Sequence, residues 1–110
     1  DWRFRVHDII AGVSAAIAYT EGMTFEEFTT DRRTRDAVIR NLMIMGESLR
    51  WIPGPVREAN PQVPWTKMRG VRNVVVHEYF GIDDRILWNT VVYDLPPLVP
   101  KLETALATKI

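Results

Sequence analysis

Apolar residues in this chain recur every three or four positions in one segment after another, and glycine or proline closes each segment. Val6, Ile9, Ile10, Val13 and Ile17 keep that rhythm from Trp2 to about Thr20, before Gly22. Such spacing stacks side chains on one face of a helix, whereas a half-buried strand needs alternation by two. The rhythm returns in Val38, Leu42, Met45, Leu49 and Ile52, from a start around Thr30-Asp31 to Pro53-Gly54. It returns again in Met68, Val71, Val74 and Val75, between Trp65 and about Tyr79, with Gly81 closing the segment. The three consecutive valines, Val74 to Val76, also suit a strand; segment length, the stripe and the lack of a partner strand favour helix.

The breaks carry their own signals. Thr24-Phe25-Glu26-Glu27 reads as a capping box before a short helical turn, because the Thr hydroxyl and the second Glu carboxylate can satisfy two free amides. Pro55 suits the first position of a brief helix to about Ala59, and Asn60-Pro61-Gln62-Val63-Pro64 is extended. Asp83 is an N-cap for a last helix through Ile86, Leu87, Thr90, Val91 and Asp94; Pro96-Pro97 makes it kink or restart, and Leu98, Leu102, Ala105 and Leu106 continue it. The expectation is an all-α fold, an antiparallel bundle of about five helices with a kinked last one, in a single domain over residues 1–110. Gly46 sits inside the long helix at a cost of ~1 kcal/mol relative to Ala, which marks a place where another helix crosses closely.

Composition removes several functions. Without cysteine there is no disulfide scaffold, thiol chemistry or thiolate zinc site, and a reducing cytoplasm is the expected location. Fourteen Lys and Arg balance fourteen Asp and Glu, so there is no global positive field to draw in long nucleic acid, and any such contact must be local. The most apolar stretch, Ile9 to Tyr19, is shorter than the ~20 residues a membrane helix needs, and Asp1 to Arg5 lacks the order of a signal peptide. No phosphate loop, His-Glu-x-x-His pair or serine elbow is present. The only histidines, His7 and His77, lie far apart without carboxylates at ligand spacing, so neither metal nor cofactor is expected. His7, and the charges Asp31, Arg32, Arg33, Arg35, Asp36 and Arg40, read as solvated surface.

Functional side chains concentrate in Arg69-Gly70-Val71-Arg72-Asn73-Val74-Val75-Val76-His77-Glu78-Tyr79-Phe80. On a helix Asn73 and His77 are one turn apart, while Arg72 shares another side with Tyr79. Arg72 and His77 are ~140° apart around an ideal helix. Either a bent Arg72 spans that angle, or two copies of the helix share one cleft. Glu47, in the long helix, can reach Arg69 or Arg72 and hold it.

Arg72-Asn73-Val74-Val75-Val76-His77-Glu78-Tyr79 resembles the R-x4-H-x-Y motif of HepT proteins, within the HEPN superfamily. Glu26-Glu27-Phe28 with Asp31, Ala37-Val38-Ile39-Arg40 with Gly46-Glu47, Pro61 to Trp65, and Val92 to Pro96 also resemble that family, in order. The resemblance implies a helical bundle that forms a homodimer, with Arg72 and His77 at a cleft between protomers. It implies a metal-independent endoribonuclease toxin in which His77 moves the proton, Arg72 stabilises the phosphoryl oxygens, and Asn73 orients substrate. Tyr79 would be modified with AMP by a nucleotidyltransferase antitoxin. Glu47 and Arg69 are the supporting candidates. A second reading keeps the same cleft as a non-catalytic module that binds nucleotide or partner, and the balanced net charge favours it.

Overall fold

The structure, a computed structural model, describes residues 1–78 and 81–110. Its elements are α1 (Trp2–Thr20), α2 (Phe25–Thr30), α3 (Arg32–Leu49), α4 (Gly54–Ala59), α5 (Trp65–His77), α6 (Asp84–Asn89) and α7 (Leu98–Ala105), with a π-helical turn over Thr90–Asp94 extending α6. Among the described residues there is no strand, and the valine run Val74 to Val76 is helical. No helix among them is long and apolar enough to cross a membrane.

Local chemistry starts and stops these helices. Thr24 and Glu27 exchange both bonds of the capping box at the start of α2, at 3.1 and 2.9 Å. Asp31 accepts from the Thr34 amide at 3.0 Å and from its hydroxyl at 2.8 Å, and these bonds lower the Asp31 pKa. Asp83 caps α6 through the Arg85 amide. Gly22 takes φ +79° in the turn after α1, a left-handed conformation that side chains resist.

α3 is the centre of the bundle, with α1 on one side and α5 on the other. Gly12 faces Asn41 and Arg5 reaches Trp51, so α1 and α3 run antiparallel. The core joins Val6, Ile9 and Val13 of α1 to Val38, Leu42 and Met45 of α3, Met68 and Val75 of α5, and Leu98 and Leu102 of α7. Burying a large aliphatic side chain is worth roughly 1.5–3 kcal/mol, and this shared core is what fixes α5 against α3.

Four details differ from the sequence expectation. The described residues form seven α-helices in place of about five, because the capping-box turn and the restart after the prolines are separate helices. α3 ends at Leu49, a turn before Ile52, since the residue preceding Pro53 avoids the helical region; Ile52 is nevertheless buried. The last helix also changes before its prolines: the Leu95 amide reaches back to the Thr90 carbonyl at 2.9 Å, a five-residue step, and Val91 and Leu95 are both buried. Arg35 departs from the solvated face assigned to its neighbours. It binds Asp84 at 2.6 Å and the Ile82 carbonyl at 3.2 Å, tying α3 to the segment that enters α6.

Candidate functional site

The Arg72 side chain lies across Gly46 where α5 crosses α3. A Cβ placed on Gly46 would fall inside the Cβ–Cγ stem of Arg72. The glycine that weakens α3 therefore provides the channel through which Arg72 passes, in the place where the sequence indicates a close crossing. From there Arg72 Nη2 donates to Glu47 Oε1 at 2.5 Å, and Nη1 makes a longer contact of 3.4 Å with Asn73 Oδ1. Of the two arginines within its expected reach, Glu47 takes Arg72.

Glu47 is shared. Its other oxygen, Oε2, accepts from Arg50 Nη1 at 3.4 Å, one turn on at the end of α3. The hydrogen bond from Arg72, and next its charge, hold the Glu47 carboxyl below the ordinary glutamate value of 4.5, and Arg50 pushes the same way. The carboxylate thus stays ionised at neutral pH and holds Arg72 through one charge-assisted hydrogen bond, its second oxygen being taken by Arg50.

These groups line an open cleft of about 320 Å³ formed by Gly46, Glu47, Leu49, Arg50, Arg69, Arg72 and Asn73. Three arginines face one carboxylate there, so the cleft is cationic although the chain as a whole is neutral. Such a site accepts an anion with delocalised oxygen charge, and the guanidinium fork suits a phosphate. Glu47, Arg69, Arg72 and Asn73 are brought together; His77 is not among the residues lining the cleft. It is exposed in the last turn of α5, as the ~140° separation requires once Arg72 bends toward Glu47 and not toward His77. Tyr79 lies outside the described residues. Among the described residues, no group of three or more His, Asp or Glu side chains is placed to hold a metal ion.

Arg50 escaped the sequence reading. Its signal was present, for it follows Glu47 by three residues on one helix, a spacing at which side chains meet.

The other flank of α5 is apolar. Leu42, Val71, Val74, Val75, Ile82, Ile86 and Leu87 border a groove of about 370 Å³, and Val74 and Ile86 remain 39% and 57% exposed.

Comparison with known proteins places the chain in a family. The ribonuclease HepT-like family model matches residues 9–105, nearly all of the chain. The chain belongs to the HepT-like ribonuclease family. A candidate RNase of Methanocaldococcus jannaschii is 40% identical over 98 residues, covering 89% of this chain and 90% of that protein. The probable ribonuclease HepT of Thermococcus cleftensis is 39% identical, covering 89% of each. A second Methanocaldococcus jannaschii candidate RNase is 37% identical over 103 residues, 94% of this chain and 85% of its own. No solved structure matches the chain. The family match spans both α3 and α5.

Proposed function

We propose that this HepT-like protein is a metal-independent endoribonuclease toxin, working in the cytoplasm as a single-domain protomer of a homodimer. The observation that supports it is the fixing of Arg72 by Glu47 over Gly46, on the helix that carries His77 five residues on.

In this reading an RNA phosphate enters the cationic cleft and takes its charge balance from Arg72, with Arg69 and Asn73 orienting it. The 2′-hydroxyl adjacent to that phosphate attacks phosphorus. A bond from O2′ to phosphorus forms, the bond from phosphorus to the 5′-oxygen breaks, and the products are a 2′,3′-cyclic phosphate and a 5′-hydroxyl. His77 accepts the 2′-hydroxyl proton or gives one to the leaving oxygen. Arg72 stabilises the charge that grows on the phosphoryl oxygens. Glu47 is a positioning residue for Arg72.

His77 is supplied to the cleft by pairing two α5 helices, so that one protomer's histidine meets the other's arginine. The exposed apolar groove beside Val74 and Ile86 supports such pairing, because burying it gives α5 an apolar contact surface. Control falls to Tyr79. A nucleotidyltransferase antitoxin would attach AMP there, adding bulk and negative charge two residues from His77 in sequence.

The test is purified protein without partner, incubated with defined RNA beside Arg72→Ala and His77→Ala, each checked for helical content. Loss of cleavage in both folded variants, and none with chelator, is the expected result. Zero net charge favours the alternative, a HEPN module that binds nucleotide or partner without cutting. Undiminished cleavage by His77→Ala, or no cleavage by the parent while it binds nucleotide, would turn the assignment to that module.

A further inference from the structure

Trp51 lacks the packing role that the other three tryptophans share. Trp2, Trp65 and Trp88 pack against the core, whereas Trp51 sits in the turn after α3 and is 56% exposed. What surrounds its ring is positive charge. The Arg5 guanidinium carbon lies 5.1 Å from the ring centroid and that of Arg50 lies 5.6 Å away, both within cation–π range. Arg50 also lines the Arg72 cleft and shares Glu47 with Arg72. The series Arg72, Glu47, Arg50, Trp51, Arg5 is therefore a continuous surface leading from the proposed scissile-phosphate position to an exposed aromatic face.

We propose that Trp51, with Arg5 and Arg50, is a nucleobase-stacking subsite that holds single-stranded RNA next to the cleft. This rests on the ribonuclease reading and deepens it. A base stacks on an indole whatever its identity, since every base has a π face, and the arginines can leave the ring for the phosphates on either side. Charge selects the occupant: a polyanion supplies one negative charge per nucleotide to Arg5 and Arg50. A second copy of the chain at this face would place the same arginines beside one another, with Glu47 the one carboxylate lining the adjoining cleft among the described residues. The subsite would set affinity and the register of the strand, not base identity.

The experiment uses the full chain and a 2′-O-methyl octanucleotide, which binds but lacks the attacking hydroxyl. Affinity is measured for the parent, Trp51→Ala and Trp51→Phe, with mass by light scattering and with tryptophan fluorescence. Stacking predicts binding about 5- to 100-fold weaker for Trp51→Ala, and most of the affinity restored in Trp51→Phe. It also predicts that the oligonucleotide quenches the parent's fluorescence and that Trp51→Phe loses the quench, a change that a purely structural role would not produce. Equal affinity of the parent and Trp51→Ala would overturn the subsite and leave the ribonuclease reading standing. A parent that binds no RNA at all would remove that reading and the subsite with it. A lower mass for Trp51→Ala would make this face a self-interface and overturn the proposal.

Discussion

Replacing Gly46 with alanine sets two effects of known size against each other. An alanine inside α3 is favoured over glycine by about 1 kcal/mol on helix propensity alone. Its Cβ, however, would land in the stem of Arg72, so the arginine must leave its channel or α5 must lift from α3. Inserting a methyl group into filled space costs typically ~1–3 kcal/mol. The net is a destabilisation of roughly 0–2 kcal/mol, which for a chain this size lowers the melting temperature by up to about 10 °C. Cleavage should suffer more than stability, because moving Arg72 by an ångström or so costs on the order of 10²-fold in rate. The assay is a thermal melt with RNA cleavage on the same samples. Gly70→Ala is the stability control: Gly70 lies inside α5 with nothing within 4 Å of where an alanine methyl would sit, so it should gain the propensity term and melt higher. If Gly46→Ala also gained that full term and cut RNA at the parent rate, the packing of Arg72 over Gly46 would have no functional consequence.

Three further outcomes follow from the same site. Because Arg72 lowers the Glu47 pKa, the pair's contribution to stability is present above the ordinary value of 4.5 and is lost as pH falls through the lower folded value. Urea denaturation from about pH 6 down to about pH 3 should therefore show a steeper acid loss for the parent than for Glu47→Gln, and parallel curves would contradict it. The pair is solvent-exposed, so the difference will be small and will shrink in salt. Light scattering at micromolar concentration should give about twice 12.7 kDa, and a monomer that nonetheless cleaves RNA would show that His77 needs no second copy. Tyr79→Phe should escape silencing by an active nucleotidyltransferase partner with ATP, and continued silencing would place control elsewhere.

Much of the fold was legible because the helix breakers are unambiguous: Gly22, the proline preceding Gly54 and the Pro96-Pro97 pair each fall at an element boundary. Gly46 was legible for the same reason, since an interior glycine demands a neighbour. The π-helical turn was not, because Val91 and Leu95 stay buried through it and the apolar rhythm hides an extra residue per turn. Ile52 misled in the opposite sense: it is buried at helical spacing from Leu49 while standing outside the helix. At the site, the angle between Arg72 and His77 could be worked out from residue numbers alone. The choice of Arg72 over Arg69 by Glu47 could not, as it depends on how α5 crosses α3. Long-range partners such as Arg35 and Asp84, 49 residues apart, leave no local signature at all.

The central claim is that RNA is cut through its own 2′-hydroxyl, with His77 moving the proton. The most direct measurement compares partner-free protein on an RNA oligonucleotide and on its 2′-O-methyl counterpart, with the product ends identified by mass spectrometry and with His77→Ala in parallel. The account predicts a 2′,3′-cyclic phosphate from the RNA, no product from the 2′-O-methyl strand, and a loss of ~10²-fold or more in His77→Ala. Cleavage of the 2′-O-methyl strand, or an undiminished rate in folded His77→Ala, would contradict it.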